Sequence, residues 1–383
     1  MKFPDFESGV FLRDYWQKKP LLIRNPWDSW INPLEPDELA GLACESEVES
    51  RLVTQSQEAW ELKHGPLSER QFSRLGKKPW TLLVQAVDHH VPAVAALLEP
   101  FRFVPNWRID DVMVSYATDG GGVGPHFDQY DVFLVQGLGR RRWQVGGACD
   151  QTTELQPSDD LRLLAKFEPT EEWILEPGDI LYLPPRIAHD GVAVGDDCMT
   201  YSIGFRAPSR GELLANWAET LAAGLEDDDR YTDPELPAQA NPGEISAEAI
   251  ARLHDMIAER VLDRESFAQW FGQFSSTPKN PELDWRPEDP VEVEDLPLLA
   301  GGHTPLLRNP ASRFSFIRQP ADALLLFVDG QSFPCAEETA SFAEQLCAHA
   351  RLTLDHAALA TPQTRELIVN LLNQGSVAFE PES

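Results

Sequence analysis

The chain has 383 residues, with 62 Asp or Glu against 32 Lys or Arg, a formal net charge of −30 and a hydrophobic fraction of 42%. That length accommodates two or three domains, and so acidic a field repels phosphate backbones while favouring a basic polypeptide partner. The first residues lack the basic-then-apolar pattern of a secretory leader, no apolar run reaches about eighteen residues, and the five cysteines are scattered without a Cys-X-X-Cys pair. A cytoplasmic protein is therefore expected, with neither membrane span, disulfide framework nor zinc cluster.

Residues 11–24 read as a short helix, a break at Pro20 and a strand, and 36–42 begin like a helix with an acidic first turn, Asp37 and Glu38. From 109 to 205 the pattern is one of short strands divided by glycine and proline turns: 112–116, 132–136, 141–145, 180–183 and 199–205. Helical period follows from 209 to 274. In 245–262, Ile250, Leu253, Ile257 and Val261 share one face, and Phe267, Trp270, Phe271 and Phe274 obey the i, i+3, i+4, i+7 rule. The aromatic stripe should be buried, and a helical layer between two domains suggests a homodimer surface. Residues 226–229 and 234–242 read as loop.

A linker rich in Pro, Glu and Asp leads to strands at 312–317 and 323–328, helices at 339–350 and 363–373, and a last strand at 376–379. Helices with a small sheet suggest a winged helix, whose usual ligand is DNA. Residues 281–383, however, carry 16 acidic against 6 basic side chains. A packing or protein-contact role is expected instead, without direct DNA binding. The expected division is a cupin-like oxygenase domain at 1–207, a helical dimerisation region at 208–276, an acidic linker at 277–297 and an acidic winged-helix-like domain at 298–383. The fold class is α+β, with a double-stranded β-helix (jelly roll) as its first domain.

The candidate chemistry lies at His126, Asp128 and His189. A glycine run, 120–124, gives way to Pro125-His126-Phe127-Asp128 and a β-rich stretch; residues two apart on a strand point to one side, so an imidazole and a carboxylate converge. His189 follows Glu176-Pro177-Gly178-Asp179, a short apolar strand and Pro184-Pro185, which places it at a strand exit. Two histidines and one carboxylate on one face of an octahedral ion leave three positions open, as in non-haem Fe(II) oxygenases; a structural zinc site closes its shell. His64, His89, His90, His254, His303, His349 and His356 lack such a context and read as surface or packed residues.

These strings resemble the JmjC-type 2-oxoglutarate oxygenases, most closely the bacterial ribosomal oxygenases that hydroxylate an arginine of a large-subunit (50S) ribosomal protein. Besides residues 120–133, the resemblance rests on Trp16-Gln17-Lys18-Lys19-Pro20, Trp107-Arg108-Ile109-Asp110-Asp111, residues 136–143 and 176–182, and Ser202-Ile203-Gly204-Phe205-Arg206-Ala207-Pro208. It implies Fe(II) held by His126, Asp128 and His189, with 2-oxoglutarate and O2 as cosubstrates. It also implies a basic residue for the distal carboxylate of 2-oxoglutarate. Arg140, Arg141 and Arg142 are the candidates: strand alternation sets Arg141 apart, and the interval from the first histidine in related enzymes selects it. Ser115 resembles the hydroxyl that assists this carboxylate, and Asp119, close in sequence to the metal strand, is the candidate for meeting a substrate guanidinium. Tyr130, Phe133 and Trp143 are candidate apolar walls. The rival readings are a metal-dependent small-molecule cupin enzyme and a non-enzymatic acidic adaptor for basic proteins; the former leaves Arg141 without a role.

Overall fold

Apolar residues alternating along the strands between 109 and 205 supply one face of a β-structure that needs a second layer to cover it. The computed structural model describes the chain apart from residues 1–2, 5, 57–58, 77, 158–160, 284, 300–303, 355–358 and 381–383. Its first half runs α1 (Ser8–Asp14), β1 (Leu21–Ile23), α2 (Pro36–Leu42), β2 (Ser50–Ser56), β3 (Ala59–His64), α3 (Glu69–Phe72), β4 (Trp80–Val84), α4 (Pro92–Ala95), β5 (Ile109–Ala117), β6 (Asp131–Ala148), β7 (Glu171–Leu175), β8 (Ile180–Leu183) and β9 (Ile187–Phe205). The strands pair in the order β1-β8-β6-β9-β5-β4-β2-β3, with β7 added to β6. This is the expected jelly roll.

β6 and β9 pair from Asp131↔Phe205 to Ala148↔Ile187, with register breaks at 136/138, 138/140 and 145/148. Such bulges bend a strand and raise its twist, which lets two long strands serve both halves of the roll. Gly137 and Gly139 look like a turn between two strands, 132–136 and 141–145, but they lie at bulges inside one strand. β9 likewise begins at Ile187, so His189 stands near a strand start rather than a strand exit. β2 and β3 do not stand out in the sequence because polar and charged residues dilute their alternation, and β4 does not because its Leu82-Leu83-Val84 run does not alternate.

The barrel core takes Val112, Val114, Phe133, Val135, Tyr201, Ile203 and Phe205, none of them measurably exposed, and α1 adds Phe11. Asp131 is buried within this core and fully bonded. It accepts from the Tyr182 hydroxyl (2.6 Å), Gln17 Nε2 (2.9 Å) and Arg108 Nη2 (3.2 Å). Those bonds offset the cost of a buried carboxylate and tie the Trp16-Gln17-Lys18 segment to the barrel.

The second half runs α5 (Arg210–Ala223), α6 (Ala247–Val261), α7 (Arg264–Ser276), α8 (Leu296–Leu299), β10 (Pro305–Arg308), β11 (Phe314–Arg318), β12 (Leu324–Val328), β13 (Gln331–Cys335), α9 (Glu337–Ala348), β14 (Arg351–Thr353), α10 (Pro362–Gln374) and β15 (Val377–Phe379). Two three-stranded sheets, β14-β10-β15 and β11-β12-β13, join α9 and α10 around a separate apolar core, the expected winged-helix unit. The α7 stripe packs inward, with Trp270 buried and Phe267, Phe271 and Phe274 half-buried: Trp270 stacks on Phe274 with centroids 5.0 Å apart and meets Trp217 at 5.2 Å. Gly272 lets α7 lie directly on β12, because a Cβ there would sit 2.3 Å from the buried Phe327 ring. On α6, by contrast, Ile250, Leu253 and Ile257 remain 54%, 43% and 67% exposed.

The two halves meet along β5 and the turn before it. Trp107 packs edge-on against Phe271 (5.5 Å), Arg206 Nη1 donates to Ser275 O (2.6 Å), and Asn106 Nδ2 donates to Cys347 O (2.9 Å). The five cysteines are free thiols, and among the described residues no helix is long and apolar enough to cross a membrane.

Candidate metal centre

The backbone sets two of the three residues before their side chains are considered. His126 and His189 form an isolated antiparallel bridge, with His126 N donating to His189 O (3.0 Å) and His189 N to His126 O (2.9 Å). The His-X-Asp segment is thus not in a regular strand; it leads into β6 and is pinned to the start of β9, with Arg186 N donating to Asp128 O (2.6 Å). Gly124, at φ +83°, makes the approach, since a Cβ would crowd Trp60 and Leu163 at 3.0–3.2 Å.

The two imidazoles lie with centroids 4.3 Å apart. His126 Nδ1 is bonded to Gly124 O (2.8 Å) and His189 Nδ1 to Ile187 O (2.9 Å), which leaves both Nε2 atoms for another partner. His189 Nε2 is 3.7 Å from Asp128 Oδ2, and one donor atom from each of the three residues lies within 4.8 Å of the others. Among the described residues this is the only such group of His, Cys, Asp or Glu. Burial, then the neighbouring His126, push His189 down to about 4, so it is neutral with a free lone pair at neutral pH. Backbone carbonyls fixing Nδ1 are the usual way a histidine is oriented as a metal ligand.

The triad opens into a cavity of about 600 Å³. Arg141 lies in its wall, 3% exposed, while Arg140 is exposed and Arg142 half-buried, as strand alternation requires. Among the described residues its one hydrogen bond is long, Nη1 to Gly191 O at 3.5 Å, and its Nε and Nη2 have no partner. Ser115 is buried in the same wall and donates only a long bond to Thr200 O (3.4 Å). Trp143 and Tyr130 line the cavity; Phe133 does not, being packed in the barrel core.

Asp119 is a correction. It is exposed, lies outside the cavity lining, and its Oδ1 accepts from Gly195 N (2.7 Å) in the neighbouring turn. Nearness in sequence misled here, because the turn at Gly120, φ +75°, separates Asp119 from the approach to His126. Among the described residues, the acidic side chains that line the cavity beside Asp128 are Asp110 and Asp111, on β5. The register of β5 on β9 breaks between Ile109 and Val112, placing both carboxylates at one irregular stretch. Asp110 and Asp111 carry no motif that marks them as functional in the sequence, and neither do Gln85 and Arg51 of the same wall. Among the remaining histidines, His64, His254 and His349 are exposed, His90 is half-buried and His89 is packed beside Asp88; His303 and His356 lie outside the described residues.

Comparison with known proteins agrees with this geometry. A JmjC domain model matches residues 96–213, a ROXA-like winged helix model 252–378, and an AraC-like ligand binding domain model 170–269. The chain is 44% identical to the ribosomal protein uL16 3-hydroxylase of Escherichia coli K12, over 77% of this chain and 76% of that protein. It is 40% identical to a probable ribosomal oxygenase of Haemophilus influenzae, over 69% and 66%. The X-ray structure of E. coli YcfD superposes with a TM-score of 0.90 at 37% identity, covering 99% of this chain and all of that one. A structure of the same E. coli ribosomal oxygenase with cobalt and 2-oxoglutarate gives 0.87 at 36% identity, covering 98% and 99%.

Proposed function

Because the chain belongs to the ribosomal oxygenases of the JmjC family, we propose that it is an Fe(II)- and 2-oxoglutarate-dependent oxygenase that hydroxylates an arginine side chain of the large-subunit ribosomal protein uL16. The observation that carries the reading is Arg141. A guanidinium 3% exposed with two nitrogens unbonded is costly unless a ligand completes it, and the cavity that it lines also holds His126, Asp128 and His189.

The residues fit both groups. Two imidazoles whose Nδ1 atoms are tied to backbone carbonyls and whose Nε2 atoms are free, with a carboxylate, form a donor set suited to Fe(II) that leaves positions open for a chelating cosubstrate. A planar guanidinium with free N–H groups suits the distal carboxylate of 2-oxoglutarate, with the Ser115 hydroxyl beside it. When bound, Fe(II) with 2-oxoglutarate and O2 supplies oxidative decarboxylation to succinate and carbon dioxide, coupled to insertion of one oxygen atom into a C–H bond. The chain supplies position and shelter. Val132, Leu134 and Trp143, each at most 6% exposed, present apolar surface to the cavity and limit access of water to the reacting carbon.

The substrate end is assigned to Asp110 and Asp111 in place of Asp119, since a guanidinium entering this cavity would meet their carboxylates. A net charge of −30 favours encounter with a basic ribosomal protein. The E. coli relative's name, a 3-hydroxylase, supports oxygen at the β carbon. The exposed apolar face of α6 is assigned to a second copy of the chain, because Ile250, Leu253 and Ile257 form a stripe that water covers poorly.

The test is succinate release by the purified protein with recombinant uL16. Release that requires Fe(II) and rises with uL16 supports the proposal, and a metal-independent or uL16-insensitive signal contradicts it.

A further inference from the structure

Asp111 faces the cavity, yet its partners come from opposite halves of the chain. Lys279, in the segment after α7, donates from Nζ to Oδ2 at 2.6 Å, and Gln85 Nε2 reaches Oδ2 at 2.9 Å and Oδ1 at 3.2 Å. The Gln85 amide is oriented in turn by Arg51, whose Nη2 donates to its Oε1 (3.1 Å). Lys279 itself is not part of the cavity lining.

Carboxylates crowd this spot. Asp110 is adjacent on β5, and Asp88 approaches from the turn before α4 and is 4% exposed. Asp110 is bonded to Arg313 Nη2 (2.9 Å) and lies 3.8 Å from Lys279 Nζ. Asp88 bonds to Val112 N (2.8 Å) through Oδ1. A cation set against crowded carboxylates offsets their mutual repulsion and fixes where they point. At Asp111 that cation is Lys279, and Oδ1, with one long bond, retains accepting capacity for an incoming donor.

We infer that Lys279 is a positioning residue: it holds the Asp111 carboxylate in place for the cationic side chain of the substrate, so that substrate engagement by the barrel depends on the C-terminal half of the chain. This rests on the arginine reading above. It also gives the contact between the barrel and the segment after α7 a role in substrate binding beyond holding the two halves together.

The test compares wild type with Lys279→Met, Lys279→Gln and Lys279→Arg in the full-length protein. The expected result is a KM for recombinant uL16 raised about tenfold by Lys279→Met and by Lys279→Gln, kcat reduced less than about twofold, and KM restored to within about threefold by Lys279→Arg. Lys279→Gln carries the test if Lys279→Met fails to fold. An unchanged KM, a lowered KM (the ammonium competing with substrate), or a raised KM that arginine does not restore overturns the inference. Calorimetry with N-acetylarginine amide, whose one charge is its guanidinium, separates it from the substrate assignment. If wild type leaves uL16 unmodified, that assignment falls by itself. Lys279 is then judged on the probe: weaker binding in Lys279→Met keeps the inference, while equal binding, or none to wild type, removes it.

Discussion

On the β6 side of the cavity Arg141 is buried with two nitrogens unbonded, whereas on the β5 side Asp111, equally buried, has both oxygens bonded to side chains. Burial is 3% exposure in each case, so depth does not distinguish them. What differs is who completes the hydrogen bonds. An incomplete buried charge points to a ligand that the chain does not itself provide, and a completed one points to a charge held ready by the architecture.

The sharpest way to break this comparison is at the metal set. His126→Ala, Asp128→Ala and His189→Ala should each reduce Co(II) or Fe(II) binding and turnover by more than about a hundredfold, since even residues that only orient ligands cost 10–100-fold. The melting temperature should change little. Wild-type turnover in any of the three removes the site. Arg141→Ala comes next: losing a charge-assisted pair should raise the KM for 2-oxoglutarate about 10- to 100-fold, with Arg140→Ala and Arg142→Ala within about twofold. If Arg142→Ala is the damaging change, the unbonded nitrogens of Arg141 do not mark the cosubstrate site.

The β5 side is sharpened by pH. Burial holds the Asp88 carboxyl up at about 8, opposed by the bond from Val112 N and reinforced by the charge of Asp111. A folded-state value above the ordinary one means that this group's contribution to stability is present below about 4 and is lost as pH rises towards 8. Asp88→Asn should flatten the fall in melting temperature between pH 5 and 8, and an unchanged slope shows that Asp88 is ionised in the native protein. A smaller effect is expected at α6, where Ile257→Glu should shift a dimer towards monomer in sedimentation without unfolding the chain. Equal sedimentation of both proteins assigns that face to something other than a second copy.

The triad was legible because its signal is local: His-X-Asp after a glycine run, then Pro-Gly-Asp and an apolar strand before the second histidine. Arg141 followed from alternation together with the family's spacing. The α7 stripe was legible from its period, and the winged helix from its helices, although β10 and β14 are too short to announce themselves and Pro334 inside β13 reads against a strand. Bulges in β6 passed for a turn, because a glycine at positive φ serves either purpose. Asp111 and Lys279 were out of reach for a different reason: 168 residues separate them, and no motif records a contact made between two units. Asp119 shows the converse error, in which a residue near in sequence is turned away by one glycine.

Fragment mass analysis of recombinant uL16 after incubation with this protein, Fe(II) and 2-oxoglutarate tests the central claim most directly. The account predicts a gain of one oxygen atom on a single arginine, on side-chain carbon, lost when Fe(II) or 2-oxoglutarate is withheld and in the His189→Ala variant. An unmodified uL16, or oxygen placed on a histidine, contradicts it.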